Sequence, residues 1–286
     1  MAAYIDEHES RFKVGPICRV LSESLDCGFL TPRGCRMFRT RPVSRMRAGH
    51  EALARDILQI HSDFFMAVYG CGKMHAQLVA QGWDPAEIGR DQVMNVMRES
   101  GIRGVRRGRT PVTTKPAKGT GGRPDLVERG FEAEAPNRLH VADITYVRMA
   151  NGSFGYTAFV TDVYARKIVG WKVATEMTQK LVTDAIDHAI DTRKRSGAAS
   201  LDSLIHHSDA GSQYTAVAFT ERLAAEGILP SVGSVGDSFD NALAESVNSS
   251  YKTELIDHQP PYPGAAELSL ATAEWVAFYN RQRPNG

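Results

Sequence analysis

Apolar positions recur at helical spacing through residues 50–100 and give way to strand-like runs after residue 137. HEALARDILQIHSDF sets Leu53, Ile57, Leu58 and Ile60 along one side. GCGKMHAQLVAQG sets Met74, Leu78 and Val79 ahead of Gly82, and GRDQVMNVMRESG sets Val93, Val96 and Met97 ahead of Gly101. These segments predict three helices, with glycine just past a helix end, where it accepts the left-handed conformation. Short helices joined by glycine-containing turns fit a helix-turn-helix unit, and equally a plain three-helix bundle with a solvated face. In the first case the last helix presents Arg90, Gln92, Asn95 and Arg98. Glutamine and asparagine can pair with adenine edges, and arginine with guanine, in a major groove.

The flanking regions read differently. In residues 1–49, AYIDEHESRFKVGPICRVLSES predicts a short helix broken at Gly15-Pro16, and RGCRMFRTRPVSRMR an extended or turn-like run. The region is expected to be an ordered arm or linker. From residue 137, RLHVADITYVRM, SFGYTAFVTDVY and RKIVGWKVA predict three antiparallel strands, the first two joined by a type I′ turn at Asn151-Gly152. TQKLVTDAIDHAIDTRKRSG follows, with Leu181, Val182, Ala185, Ile186, Ala189 and Ile190 on one stripe, Thr178 as N-cap and basic residues in its last turn. SLIHHSD is a strand ending at Asp209, and TAVAFTERLAAEG a helix capped by Thr215 and stopped at Gly227. A helix opening at Asp240 or Asn241 and a last helix docked by Trp275, Phe278 and Tyr279 complete the chain. The order predicts an α/β domain, and it resembles the ribonuclease-H-like fold.

Composition changes this picture little; charge distribution changes it more. The chain has 286 residues, 42% hydrophobic and 23% charged, enough for two or three ordinary domains. Its net charge is only +1. Yet residues 101–124 carry Arg103, Arg106, Arg107, Arg109, Lys115, Lys118 and Arg123 with no acid, among six glycines and three prolines. Such a strap cannot build a core, and it suits phosphate contacts that do not read bases. Cys18, Cys27, Cys35 and Cys71 form no C-x-x-C pair and fit reduced thiols. No apolar run of eighteen residues and no secretory leader is present, so a cytoplasmic protein without a membrane partner is expected.

Three acids carry the candidate chemistry. Asp143 lies in the strand LHVADITYV, Asp209 in HHSDAGSQYT and Glu245 in DNALAESVNSSYKTEL. A charge inside a strand is costly unless paired or bound to metal. Carboxylates on three separate elements can hold two divalent cations, and hard oxygen ligands suit Mg²⁺, with Mn²⁺ as substitute. Two such ions can clamp the attacking and leaving oxygens of a phosphodiester. On the Glu245 helix, Asn241, Asn248, Ser249 and Lys252 share its polar stripe, with Lys252 directed at a DNA backbone. His207, Ser208 and Gly211 flank Asp209 as supporting residues.

Thirty-five residues separate Asp209 from Glu245. Together with HSDAGSQYT, SVGSVGDSFDNA and ESVNSSYKTEL, this spacing resembles the transposases of bacterial insertion sequences, specifically the downstream, retroviral-integrase-like reading frame. YGCGKMHAQLVAQG and VMNVMRESGIRG are similar to that family's helix-turn-helix region. The resemblance implies a ribonuclease-H-like integrase core, a five-stranded mixed sheet with flanking helices, preceded by an all-helical helix-turn-helix-like region. It implies a D…D-x35-E metal site at Asp143, Asp209 and Glu245, with Asp143 and Asp209 sharing one ion and Glu245 completing the second. It implies Mg²⁺-dependent 3′-end cleavage and strand transfer at terminal inverted repeats. The partners expected are repeat and target DNA, a second copy of the chain and the upstream-frame protein. The corresponding segments are an arm (1–49), a helix-turn-helix-like region (50–108), a basic linker (109–136), a catalytic core (137–257) and its closing helix (258–286).

Other chemistries fit less well. GCGK lacks the upstream glycine and the following Ser or Thr of a phosphate loop, since Ala67 and Met74 stand there. No G-x-S-x-G elbow occurs, and no cysteine pair completes a zinc site with His206 and His207. Asn285 stands where the family has histidine, and the sequence stops at Gly286. This departure motivates an alternative, a catalytically inactive truncated copy that represses by occupying the repeats.

Overall fold

The computed structural model describes residues 2–25, 28–41, 44–105, 125–127, 130–209, 211–233 and 242–284. The chain divides into two units, Met1–Arg55 and Asp56–Gly286, with the division inside a helix.

The first unit holds α1 (Ala2–Phe12), α2 (Val14–Ser24), α3 (Pro32–Thr40) and the start of α4 (Arg45–His61). Ile5, Ile17, Cys18 and Cys35 are buried together and give it a small core of its own. Two sequence expectations are corrected here. The break between α1 and α2 falls at Lys13, with φ 60°, while Gly15 and Pro16 lie inside the first turn of α2. Proline is tolerated there because first-turn N–H groups have no intrahelical partner. The stretch expected to be extended forms α3. Thr31 caps it by accepting from Gly34 N at 3.0 Å, Pro32 opens it, and Arg39 pairs with Asp6 and Glu9 of α1. A cap, a buried cysteine and acids on a neighbouring helix outweigh a basic run with little periodicity.

In the second unit, α5 (Cys71–Ala80) and α6 (Arg90–Glu99) follow α4. Met74 and Leu78 of α5 and Val93, Val96 and Met97 of α6 are buried as their spacing predicts, whereas Leu58 of α4 is 51% exposed. Gly82 and Gly101 take φ values of +106° and +73° just past their helix ends. Trp83 N donates to Leu78 O and Ile102 N to Met97 O, which closes both helices.

The sheet runs in the order β3-β2-β1-β4-β5. Its strands are β1 (Leu139–Arg148), β2 (Phe154–Asp162), β3 (Lys167–Ala174), β4 (Ile205–Ser208) and β5 (Leu229–Val232). β1 pairs antiparallel with β2 and parallel with β4, so the sheet is mixed and β1 is central. This is a ribonuclease-H-like core. The hairpin after β1 departs from the expected type I′ turn. Met149 N donates to Ser153 O, Gly152 N donates to Met149 O, and Gly152 alone of the Asn-Gly pair has positive φ. Three loop residues, with Ala150 among them, accommodate a glycine bulge rather than a two-residue turn.

α7 (Gln179–Arg195) covers one face. All six residues of its expected stripe are buried against Ala158, Val160 and Val169, with Phe219 and Leu223 of α9 (Val217–Ala224). Thr178 takes the N-cap position without a side-chain cap bond. Thr215 does not cap α9. It ends the short helix α8 (Ser212–Thr215), its hydroxyl turned back on Gly211 O and Ser212 O, and Ala216 precedes α9. α10 (Ala242–Tyr251), a π-helical turn (Lys252–Ile256) and α11 (Ala265–Arg281) cover the other face. There Phe159, Tyr251 and Trp275 meet ring to ring, with centroids 5.0 to 5.7 Å apart. Asn280 of α11 lies along β3, accepting from Ile168 N at 2.9 Å and donating to Ile168 O at 2.8 Å.

At the end of β2, fully buried Asp162 accepts from Asn137 N and Ala165 N, each at 2.8 Å, and from Arg193 of α7 at 2.6 Å. Burial alone would raise its carboxyl, but nearby His140 and the Ala165 and Asn137 N–H groups hold it well below the usual carboxylate range.

Candidate active site

Asp143 sits mid-way along the central strand, opposite Phe159 of β2. The parallel register Ala142↔Ser208 carries Asp209, one residue past β4, alongside it. α10 packs on β1 and places Glu245 and Asn248 one turn apart on its course. Asn248 Nδ2 donates to Asp143 Oδ2 at 2.8 Å, and Ile144 N donates to Oδ1 at 2.7 Å. Burial pushes the Asp143 carboxyl up to about 7, and the charges of Asp209 and Glu245 add to it against those two donors. Asp143 therefore lies within electrostatic reach of both other acids.

Asp209 is also raised by burial, opposed by the Gly211 N–H and by His207. Gly211 N lies 3.3 Å from Asp209 Oδ1, and a Cβ at 211 would stand 3.0 Å from the same oxygen. The Ser208 hydroxyl donates to Asp209 O at 3.2 Å. His207 is buried beneath them. Its Nδ1 is 2.9 Å from Ser231 Oγ, its ring meets the edge of Phe131, and Asp125 lies 3.8 Å away. His206 faces the other way, against Tyr214 and Phe219, and burial pushes it down to about 3. The two histidines thus serve opposite faces of the sheet.

Both groups that donate to Asp143 are amides, one from a side chain and one from the backbone. Among the described residues no three His, Cys, Asp or Glu side chains stand close enough to hold an ion, and Glu245 is exposed. Among the described residues, the buried Asn248 Oδ1 has no hydrogen-bond partner.

Residues 133–238 and 226–286 match models of the integrase core domain, and 49–110 an HTH-like domain model. The chain is 46% identical over 243 residues to a protein assigned as the transposase of insertion sequence element IS986/IS6110 of Mycobacterium tuberculosis (strain ATCC 25177 / H37Ra), covering 85% of this chain and 86% of that one. It is 39% identical over 284 residues to the transposase for insertion sequence element IS629 of Shigella sonnei, covering 99% and 90%. The chain belongs to the insertion-sequence transposases. It is accordingly an enzyme of the polynucleotidyl transferase type. Among solved structures, the catalytic core of HTLV-2 integrase in complex with magnesium aligns over 52% of this chain and 90% of that one, at 15% identity and a TM-score of 0.37.

Arg90, Gln92, Asn95 and Arg98 of the transposase line the exposed side of α6, with Arg98 donating to Asn95 Oδ1 at 2.6 Å. Arg103 is exposed beyond it, while Arg106, Arg107, Arg109 and Asn241 lie outside the described residues. Lys252 stands where α10 widens into the π turn. Its ammonium lies 4.6 Å from the Tyr146 ring centroid, three residues along β1 from Asp143. No helix among the described residues is long and apolar enough to cross a membrane.

Two residues escape a reading of local sequence. Asn248 appears there only as part of a polar stripe, yet it touches Asp143. Glu254 shows no pattern at all, and it is a fully buried carboxylate held by Lys73, Trp275 and Arg283. Only the string KTEL, acid and base two apart after a tyrosine, marks its position.

Proposed function

We propose that this transposase cuts DNA at the terminal inverted repeats of its element and joins the freed 3′-OH to target DNA, with Asp143, Asp209 and Glu245 holding divalent ions. The juxtaposition of Asp143 and Asp209 on paired strands, with the Glu245 helix bonded to Asp143 through Asn248, carries this reading. No Lys or Arg among the described residues pairs with them, so a cation of other origin fits. The oxygen donors suit Mg²⁺, with Mn²⁺ as substitute, and the unpartnered Asn248 Oδ1 is a further hard acceptor nearby. Divalent ions held there would supply Lewis acidity to a phosphodiester under attack.

The chain's own groups do the rest. Asn248 orients Asp143, and Gly211, Ser208 and His207 hold Asp209. Lys252, over the Tyr146 ring in the turn that continues α10, neutralises a phosphate of the bound strand. α6 reads the repeat through Gln92, Asn95 and Arg98 while Arg90 and the basic strap grip the backbone. Residues 50–108 then serve recognition, 109–136 linkage, and 137–257 with 258–286 catalysis. A homo-oligomer that brings two ends together, assisted by the upstream-frame protein, completes the reaction.

The test is nicking of end DNA in Mg²⁺. Glu245→Gln and Asp143→Asn should each lower the rate by on the order of 100-fold or more while end binding in Ca²⁺ persists. Undiminished nicking by Glu245→Gln would remove that residue from the mechanism.

A further inference from the structure

A second charge cluster lies further along the same helical rod. Glu254 has no solvent exposure and sits in the π turn that continues α10 without a cap. Lys73 Nζ, from the first turn of α5, reaches its Oε1 at 2.5 Å. Arg283 Nε, just past α11, donates to both oxygens at 3.0 and 3.1 Å, and Trp275 Nε1 donates to Oε2 at 3.2 Å. Arg283 also donates through Nη2 to Ser250 Oγ at 2.8 Å. One carboxylate therefore joins the HTH-like region, the α10 rod and the chain after α11.

The cluster is poorly explained as stability alone. Buried ion pairs often stabilise no better than apolar residues of equal volume, though removing one partner is costly. Their better-attested service is to fix one arrangement among several. Glu254 is nine residues from Glu245, roughly 13 Å along a rod of about 1.5 Å per residue. The wider π turn sets the rotation of Glu254 relative to Glu245. At the other end, Lys73 is not an isolated surface group. Its helix begins where Gly70 and Gly104 touch so closely that a Cβ on Gly104 would lie 2.3 Å from Gly70 Cα. Val105 N donates to Val68 O at 3.1 Å beside that contact. The start of α5 and the chain leaving α6 are thus locked together and reach the α10 rod through Lys73.

We infer that Glu254 is a positioning residue. Paired with Lys73, it sets the rotation and axial place of α10, keeping Asn248 on Asp143 so that capture of an element end by α5 and α6 turns Glu245 toward the same carboxylate. This rests on the catalytic role of Glu245 proposed above.

The experiment uses the full chain carrying Lys73→Met, Lys73→Arg, Glu254→Gln or Lys73→Met with Glu254→Gln. It measures end-DNA affinity in Ca²⁺, nicking at saturating DNA, and the Mg²⁺ concentration for half-maximal nicking. Lys73→Met should bind ends within about two-fold of wild type, nick about ten-fold more slowly and need more Mg²⁺. Lys73→Arg should restore both readouts, and the double variant should be no slower than the slower single, as expected for one coupled unit. Lys73 is partly exposed, so Lys73→Met decides the matter if Glu254→Gln does not fold. Wild-type nicking and Mg²⁺ dependence in Lys73→Met would overturn the coupling alone. A wild-type chain that never nicks end DNA in Mg²⁺ would overturn the catalytic reading, and this inference with it.

Discussion

At Asp143, burial and two neighbouring acids all oppose the charge that a metal ligand must carry. Its folded pKa of about 7 lies above the unfolded value of 3.8. For a raised acid, the neutral form favours folding. Stability is fully present below pH 4, declines as pH rises, and above pH 7 is lower by roughly 4 kcal/mol. Asp143→Asn should therefore raise Tm in EDTA at pH 8, yet abolish the rise in Tm that saturating Mg²⁺ gives wild type. A Tm that falls in EDTA would contradict the burial argument. The three acids were legible because their residue types stand in specific strings. Asn248 was visible only as one member of a stripe, because contact with Asp143 depends on how α10 lies on β1. Glu254 was not legible at all, since its partner Lys73 is 181 residues away.

Among the elements, α7 shows how far periodicity reaches. Its six apolar positions predicted both the helix and the buried face, but not how close β3 lies beneath. A Cβ at Gly170 of β3 would stand 2.3 Å from Ala185 O and 2.7 Å from Ala189 N. Both are backbone atoms and cannot yield as a side chain does. Gly170→Ala should therefore cost about 1–3 kcal/mol or more in denaturant unfolding, with unchanged slope. On α6, Gln92→Ala and Arg98→Ala should each reduce discrimination between repeat and scrambled DNA by about 1–3 kcal/mol. Arg103→Ala should instead weaken all sequences alike and lessen the salt slope by about 1. Titrations on matched and scrambled duplexes at several salt concentrations separate the two. The elements misjudged from sequence were those set by distant or weak cues. α3 depends on acids of α1, Pro16 was read as a breaker although the first turn tolerates it, and Thr215 is diverted into a helix of its own.

For the whole molecule, acid should unfold the core through Asp162. Its folded pKa is depressed, so its contribution is complete above the unfolded value of 3.8 and is lost as pH falls towards the folded one. Breaking the Asp162–Arg193 pair at neutral pH should cost about 3–5 kcal/mol, because an arginine charge is left buried. Asp162→Asn should accordingly lower Tm at pH 7 and flatten the decline between pH 4 and pH 2.5, measured by thermal scans in that range. Four strands and a mixed five-stranded sheet were foreseen from strand-like runs and resemblance, but the order of strands in the sheet and the residues of β5 were not. The link that the π turn and α11 make between one sheet face and the HTH-like region was not legible either, since such closure is made by single side chains.

Asn280 belongs to that closure. β3 is the outermost strand on its side, and a bare margin of a sheet invites pairing with another chain. The Asn280 amide occupies both polar groups of Ile168 as a short imitation of a sixth strand. A translation product ending before residue 280 would leave them open to self-association, so premature stops in this gene should yield insoluble protein rather than a quiet inhibitor.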